Sequence, residues 1–309
     1  MKNAFLLSTA LVAFAGAASA EIAFEGKAAM GVAGGSEIEH QFVSDFDLDA
    51  TFSGKAAHGL SFGMTVDLAD SEDSLAAAPL AAAPADPAYE IFVKGAFGTL
   101  TMGEGIDGAM TKSLADAADA GNKGSIGDVE EAAGAGAFAA GDDVFVGQTA
   151  RWDYALDAVK LSASAEWDEA TADDASYAFG AGYDLDMNGV KLGLGAGYQV
   201  VEKAGLKTTL TGGSVTAEKD QLVATASYQQ WDDGTAEGTH LAVGAGYDFG
   251  DLSTHANYRV NEEMGAEVKG YGLTAAYGLG KSAALKAGYG VQDMELETSV
   301  WTVGLAMDF

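Results

Sequence analysis

The chain contains no cysteine, which excludes disulfides, thiolate nucleophiles and cysteine-ligated zinc together. Only three prolines occur in 309 residues, and all of them, Pro79, Pro84 and Pro87, fall in one Ala-rich stretch. Proline is thus kept out of whatever ladders the rest of the chain forms. Positive charge is scarce: 16 Lys and Arg stand against 46 Asp and Glu, a formal net charge of −30. A field of that sign repels phosphate backbones and excludes general nucleic-acid binding. Past the first twenty residues there is no run of about 20 uninterrupted apolar residues, as a membrane-spanning helix requires. What the chain does have is 48% hydrophobic residues and 42 glycines, with the apolar side chains dispersed rather than blocked.

The first twenty residues read as a processing signal. Lys2 gives a positive start, Ala4 to Ala17 an apolar stretch too short to span a bilayer, and Ala18-Ser19-Ala20 a small-residue cleavage site before Glu21. The expectation is an exported protein with a cleaved peptide over 1–20 and one domain over 21–309. A large closed sheet has no need of the cysteines that stabilise small exported domains.

Apolar residues then recur with period two through nearly the whole remaining chain, as in Ile22, Phe24, Ala28, Met30 and Val32, or Leu60, Phe62, Met64, Val66 and Leu68. That is the period of strands. Fifteen segments show it clearly, and a weaker one at Gly205 to Ala217, interrupted by Gly212-Gly213, makes sixteen. Charge placement decides which face meets what. Lys27, Asp45, Asp47, Asp49, Asp67, Glu90, Lys94, Arg151, Lys160, Lys191, Arg259, Lys286 and Asp308 all occupy the less apolar parity. A charge at the bilayer midplane costs roughly 2–4 kcal/mol, so this exclusion fits a lipid-facing wall. The polar parity is rich in Gly, Ser and Thr and has little with which to build a core. The apolar face therefore looks outward, and the fold class is all-β: a transmembrane antiparallel barrel of sixteen strands.

Tyr154, Tyr183, Tyr247 and Tyr277 precede short turns, while Trp167, Tyr198, Tyr258 and Tyr289 precede longer polar segments. Two such rings suit the two membrane interfaces. Connections are read as alternately short (97–98, 184–189, 249–251, 279–282) and long (70–88, 104–143, 261–269), the asymmetry of an outer-membrane barrel.

Several motifs imitate chemistry without its context. Gly103-Glu104-Gly105-Ile106-Asp107-Gly108 matches a dinucleotide fingerprint, but its neighbours alternate instead of forming a βαβ unit. Gly280-Lys281-Ser282 ends like a phosphate loop, yet Ala275 stands where its first glycine belongs. Asp45-x-Asp47-x-Asp49 begins like a calcium loop, with Ala50 and Ala56 replacing the turn glycine and closing Glu. His40, His58, His240 and His255 have no metal-ligand spacing, and there is no nucleophile elbow. No cofactor is expected. Carboxylate density leaves structural calcium open, with no ligands assigned.

With these residues in view, the chain resembles the α-proteobacterial general diffusion porins along its whole mature length. The likeness rests on Glu21-Ile22-Ala23-Phe24-Glu25-Gly26, on Lys94-Gly95-Ala96-Phe97-Gly98-Thr99-Leu100-Thr101-Met102-Gly103, and on the terminal Gly304-Leu305-Ala306-Met307-Asp308-Phe309. The resemblance implies a sixteen-stranded barrel in the Gram-negative outer membrane, trimeric, inserted by the barrel-assembly machinery through a C-terminal signal ending at Phe309. It also implies that a third loop, here 104–143, folds inward to narrow the pore. Porins of this type commonly set arginines opposite that acidic loop. Only Arg151 and Arg259 exist here, and the inward positions of the second strand are acidic, which weighs against anion preference.

The function so implied is a water-filled channel for passive diffusion of ions and small hydrophilic solutes, mildly cation-selective, and not an enzyme. The rival reading is a plugged or structural barrel, an anchor or adhesin. The acidic pore residues expected are Asp45, Asp47, Asp49, Glu104, Asp107, Asp116, Asp119, Asp128, Glu130 and Glu131. Lys27, Lys94, Arg151, Lys160, Lys191, Arg259 and Lys286 are the basic wall. The expected partners are outer-membrane lipid and two further copies of the chain.

Overall fold

A computed structural model describes residues 21–36, 38–72, 89–133, 148–167, 174–293 and 297–309. Residues 1–20, expected from the sequence to be a cleaved signal, the proline-containing stretch 73–88 and the end of the third loop lie outside them. Sixteen strands run in order: β1 (Glu21–Gly35), β2 (Gln41–Lys55), β3 (Ser61–Glu72), β4 (Tyr89–Gly95), β5 (Gly98–Glu104), β6 (Thr149–Leu156), β7 (Val159–Trp167) and β8 (Ala175–Met187). They continue as β9 (Val190–Lys203), β10 (Leu206–Lys219), β11 (Leu222–Asp232), β12 (Glu237–Asp248), β13 (Leu252–Glu263), β14 (Ala266–Gly278), β15 (Ala283–Asp293) and β16 (Glu297–Asp308). Each pairs antiparallel with its chain neighbours, and β1 pairs with β16 from Lys27↔Asp308 to Gly35↔Val300, so the sheet is a closed barrel without edges. Closure satisfies every ladder group internally, which a sheet in hydrocarbon requires.

The two faces sort as the alternation predicts. Phe24, Met30, Phe52, Phe62, Leu194, Leu241, Val243, Leu273 and Val303 are exposed on the outside, while Thr225, Ser227, His240, His255, Asn257 and Thr302 on the other parity are buried inside. Aromatic pairs mark both rims. Trp152 stacks on Tyr154 at 5.7 Å and Tyr247 meets Phe249 at 4.5 Å near the turns on the terminal side, and Trp167–Tyr177 at 6.1 Å and Tyr271–Tyr289 at 6.4 Å lie toward the opposite rim. The Phe309 N–H donates to the Gly26 carbonyl at 2.8 Å, tying the chain end to β1 and leaving the ring exposed.

The weak segment near 205–217 is a full strand. β10 pairs without interruption across Gly212-Gly213 with both β9 and β11. One connection differs from expectation: 261–269 is a two-residue hairpin at Met264-Gly265, where φ is +49° and +81°. Ala204-Gly205 (+53°, +79°) and Asn188-Gly189 (+56°, +82°) turn the same way. Positive φ at both positions is the mirror-image turn that matches strand twist. Asn-Gly announces such a turn; Met-Gly and Ala-Gly do not, so the polar residues around 264 read as loop. A second difference lies between β2 and β3, where the register shifts at Leu48/Asp49 and sets Asp47 opposite Asp70 and Asp45 opposite Glu72. Leu68 is the extra residue of this bulge.

Among the described residues the buried apolar side chains do not form a central core. They lie between the third loop and the inner wall: Met110 with Ala178, Val201 and Leu210; Ala117 and Ala118 with Ala242; Ile126 with Ala33 and Val43; Val129 with Ile38 and Val300.

Val243 faces lipid in the middle of β12, opposite Ala226 and Tyr258. Val243→Arg is expected to cost about 2–4 kcal/mol relative to Val243→Ala in reversible urea unfolding from lipid vesicles.

Candidate functional site: the loop inside the barrel

The segment after β5 does not leave the barrel. It enters the lumen as a short helix α1 (Ala109–Ser113), crosses the inner wall, tightens into a 3-10 turn at Ile126–Asp128 and continues as α2 (Val129–Ala133). Wall side chains hold its backbone along the way. Ser164 of β7 accepts from Ala109 N–H at 2.8 Å, and Ser214 of β10 accepts from Ala115 N–H at 2.8 Å. His255 Nδ1 of β13 donates to the Ala120 carbonyl at 2.8 Å, and Thr274 of β14 donates to Asn122 Oδ1 at 2.7 Å. The Arg151 guanidinium of β6 donates to the Asp107 carbonyl and, at 2.9 Å, to Asp153. An irregular segment inside a barrel needs such partners, because its own ladder is missing. Burial adds to them: Met110 is fully buried, and such a side chain contributes on the order of 1.5–3 kcal/mol.

This arrangement divides the expected site residues. Asp45 and Asp47 on the wall and Asp119, Asp128 and Glu131 on the loop line one cavity of about 500 Å³, together with Lys27, Lys123, Lys286 and Asp308. Asp107, Asp116 and Asp119 line a second, of about 340 Å³, with Lys112, Gln229 and His240. Lys94, Lys112 and Lys160 line a third of about 690 Å³ on the terminal side of α1, with Asp153 and Asp184. Glu104 ends β5, half-buried at the loop entrance.

Glu130 sits apart from the others. It is fully buried, accepts from Asn122 Nδ2 at 2.9 Å and from the Ser125 hydroxyl, and so braces the loop from within instead of lining water. Arg151 is likewise buried as a clamp on the loop entrance, and Arg259 is buried in the wall. Of the lysines, Lys27 reaches Asp47 at 3.4 Å, Lys160 reaches Asp184 at 2.7 Å and Lys191 reaches Glu218 at 2.8 Å. These pairs are exposed to lumen water and are worth little individually. Lys94 and Lys286 make no ion pair among the described residues.

Asp67 joins the site through register: carboxylate oxygens of Asp47, Asp49 and Asp67 all lie within 4.8 Å of one another. Hard cations favour oxygen sets of this kind, and this is the one such group among the described residues. Lys112 and Lys123 also belong to the lumen surface, although nothing in the spacing of a loop sequence announces it.

The loop carboxyls are not ordinary. Burial pushes Asp116 up to about 6, opposed by the Ala118 N–H and reinforced by Asp119. Asp128 is raised to about 6, by burial first and then Glu130, with Lys286 opposing and Asp45 adding. Its carboxylate reaches lumen water yet has protein on most sides. Glu131 is raised to about 7 by burial and by Asp116, Asp128, Asp119 and Glu130.

A closed sixteen-stranded barrel with a loop docked inside it is a channel architecture, and comparison with known proteins agrees. The family model described as Gram-negative porin matches residues 8–295. The chain belongs to that family. Among solved structures, a porin refined at 1.8 Å resolution is similar at 19% identity with a TM-score of 0.77, over 94% of this chain and all of the other. A Rhodopseudomonas blastica porin with three substitutions is similar at 17% identity and a TM-score of 0.66, over 93% of this chain and all of the other. At these identities the structures attest the fold. No curated protein matches significantly. The protein is therefore a porin of the Gram-negative outer membrane, a channel that transforms nothing chemically.

Protons stabilise the docked loop of this porin, because its carboxyls bind them more tightly than the ordinary values of 3.8 and 4.5. Docking is therefore strongest below the ordinary range and weakens as pH rises through about 6 and 7. Loop amides, corrected for intrinsic exchange, should be better protected from hydrogen exchange at about pH 5 than at about pH 8.

Proposed function

We propose that this porin is an open, general diffusion channel for small hydrophilic solutes, narrowed by its third loop and mildly selective for cations. The observation that carries this reading is the cavity shared by wall and loop, where six carboxylates (Asp45, Asp47, Asp119, Asp128, Glu131 and Asp308) meet three lysines. Acid stands on both sides of the passage. The second strand, where an opposing basic cluster would balance the loop, instead presents Asp45, Asp47 and Asp49, with Asp67 beside them.

Lysines on the wall from β4 to β9 are counterweights, but Lys160 and Lys191 are each matched by a carboxylate. In a low-dielectric passage the remaining excess concentrates cations. Its reach is about 10 Å at 0.1 M salt, so preference should fade as salt rises. Against a plugged barrel stand the lumen cavities of about 690 and 500 Å³ around the loop. Sixteen strands also enclose more space than side chains alone fill.

The test is the zero-current potential across a salt gradient. Wild type should favour potassium over chloride, and Asp45→Asn, Asp47→Asn and Asp49→Asn combined should shift the potential toward zero. Chloride preference in wild type would overturn the reading. Shortening residues 117–136 should raise single-channel conductance, and unchanged conductance in a folded variant would remove the loop from the constriction.

The same reading includes a trimer, as is typical of the family, with the apolar proline-containing loop acting as a latch between protomers. Exposed apolar loops otherwise favour aggregation. Deleting 74–86 should weaken the oligomer on mild-detergent electrophoresis while leaving the barrel folded.

A further inference from the structure

The third loop lies against the wall where the wall has no side chains. Gly180 on β8 faces the Ala109 carbonyl and Ser113, Gly195 on β9 faces the Ser113 carbonyl, and Gly244 on β12 faces the Ala117 carbonyl. Gly246 faces the Ala120 carbonyl, Gly272 on β14 the Glu130 carbonyl, and Gly288 on β15 the Ser125 side chain. A Cβ at any of the six would sit well inside 3.0 Å of the loop, at five of them against loop backbone that has no rotamer to change. Two residues away along the same strands the situation reverses. A Cβ at Gly182 would meet nothing nearer than Lys160 Cβ at 3.5 Å, and one at Gly193 nothing nearer than Thr216 Cβ at 3.9 Å, with no loop atom near either.

We propose that these six wall glycines are positioning residues that set the bore of the channel from behind: they let the loop lie flat on the wall, and a side chain at any of them drives it into the passage. The hydrogen bonds from Ser164, Ser214, His255 and Thr274 fix where along the wall the loop sits. The glycines fix how far from the wall it sits, because packed atoms do not overlap and a methyl group placed behind the backbone must displace it. The wall directly behind Ala117 thus becomes a determinant of solute size, although it touches no solute. This inference rests on the reading that the loop narrows the channel.

The experiment measures single-channel conductance and the size limit for neutral sugars in vesicle swelling. It uses Gly244→Ala, Gly272→Ala and Gly180→Ala, with Gly182→Ala and Gly193→Ala as controls. Folding is verified by heat-modifiable migration on electrophoresis, so that a variant failing to fold is replaced by one of the others. The first three should conduct roughly 1.5-fold less and admit smaller sugars, with the controls at wild-type values. Equal or higher conductance in folded Gly244→Ala, Gly272→Ala and Gly180→Ala would overturn the inference, as would an equal loss in the controls. The same substitutions are then made in a barrel whose 107–147 segment is replaced by a short Gly-Ser linker, forming a double-mutant cycle. Their effect should vanish there; an effect that persists acts through the wall and overturns the inference. If the linker barrel conducts no better than wild type, the constriction reading has failed; if it conducts better but the glycine variants behave as wild type, only the present inference has.

Discussion

In hydrocarbon there is no water to satisfy a backbone N–H or carbonyl, so a membrane-spanning sheet must close on itself. Here that condition is met by the seam between β1 and β16, from Lys27↔Asp308 to Gly35↔Val300. Everything else depends on the ring being complete. A closed ring has an inside that lipid cannot reach, and only there can charged side chains stand on every second position of a strand. Open the seam, and the lumen carboxylates and lysines lose their aqueous compartment together with the ladder groups.

A ring of sixteen strands is too wide to fill with its own side chains, and the third loop docks within that width. The loop is built like a small second layer. Its apolar residues Met110, Ala117, Ile126 and Val129 face the wall and supply the only buried apolar clusters among the described residues, while Asp107, Asp119 and Asp128 face water. Glu130 shows how the two requirements meet: a charged group placed on the packing side is accommodated only because Asn122 and Ser125 donate to it. The wall takes part equally, with hydroxyls and an imidazole where the loop backbone needs partners and glycines where it needs room.

Electrostatics follows from this placement. Loop carboxylates brought close to one another and partly out of water hold protons well above their usual range, so the charge of the passage varies with pH near neutrality. Residues of both signs are needed to describe the lumen, but several lysines are taken up by adjacent carboxylates and Arg151 by the loop entrance.

The amino-acid sequence by itself determined the barrel: its strand number and the lipid-facing and lumen-facing parities of its strands. Those properties are local, since period-two alternation and the absence of charge from one face are imposed on each strand separately by lipid. Even the weak strand around Gly212-Gly213 was legible, because a barrel with both chain ends on one side needs an even number of strands. Turns without an Asn-Gly signal, such as Met264-Gly265, were not legible, and neither were the bulge at Leu68 and the hairpin register that sets Asp67 opposite Asp49. Within the third loop, acidity was visible but direction was not. Asp119 and Glu130 look alike in a list of residues, and only the fold turns one toward water and buries the other. The same holds for Gly244 and Gly182, two glycines in alternating strands, of which one lies behind the loop and the other does not. Those distinctions arise from contacts between residues 55 to 152 positions apart, such as Ala109 with Ser164 and Asn122 with Thr274. No local period encodes a contact of that range, so only the tertiary structure could decide them.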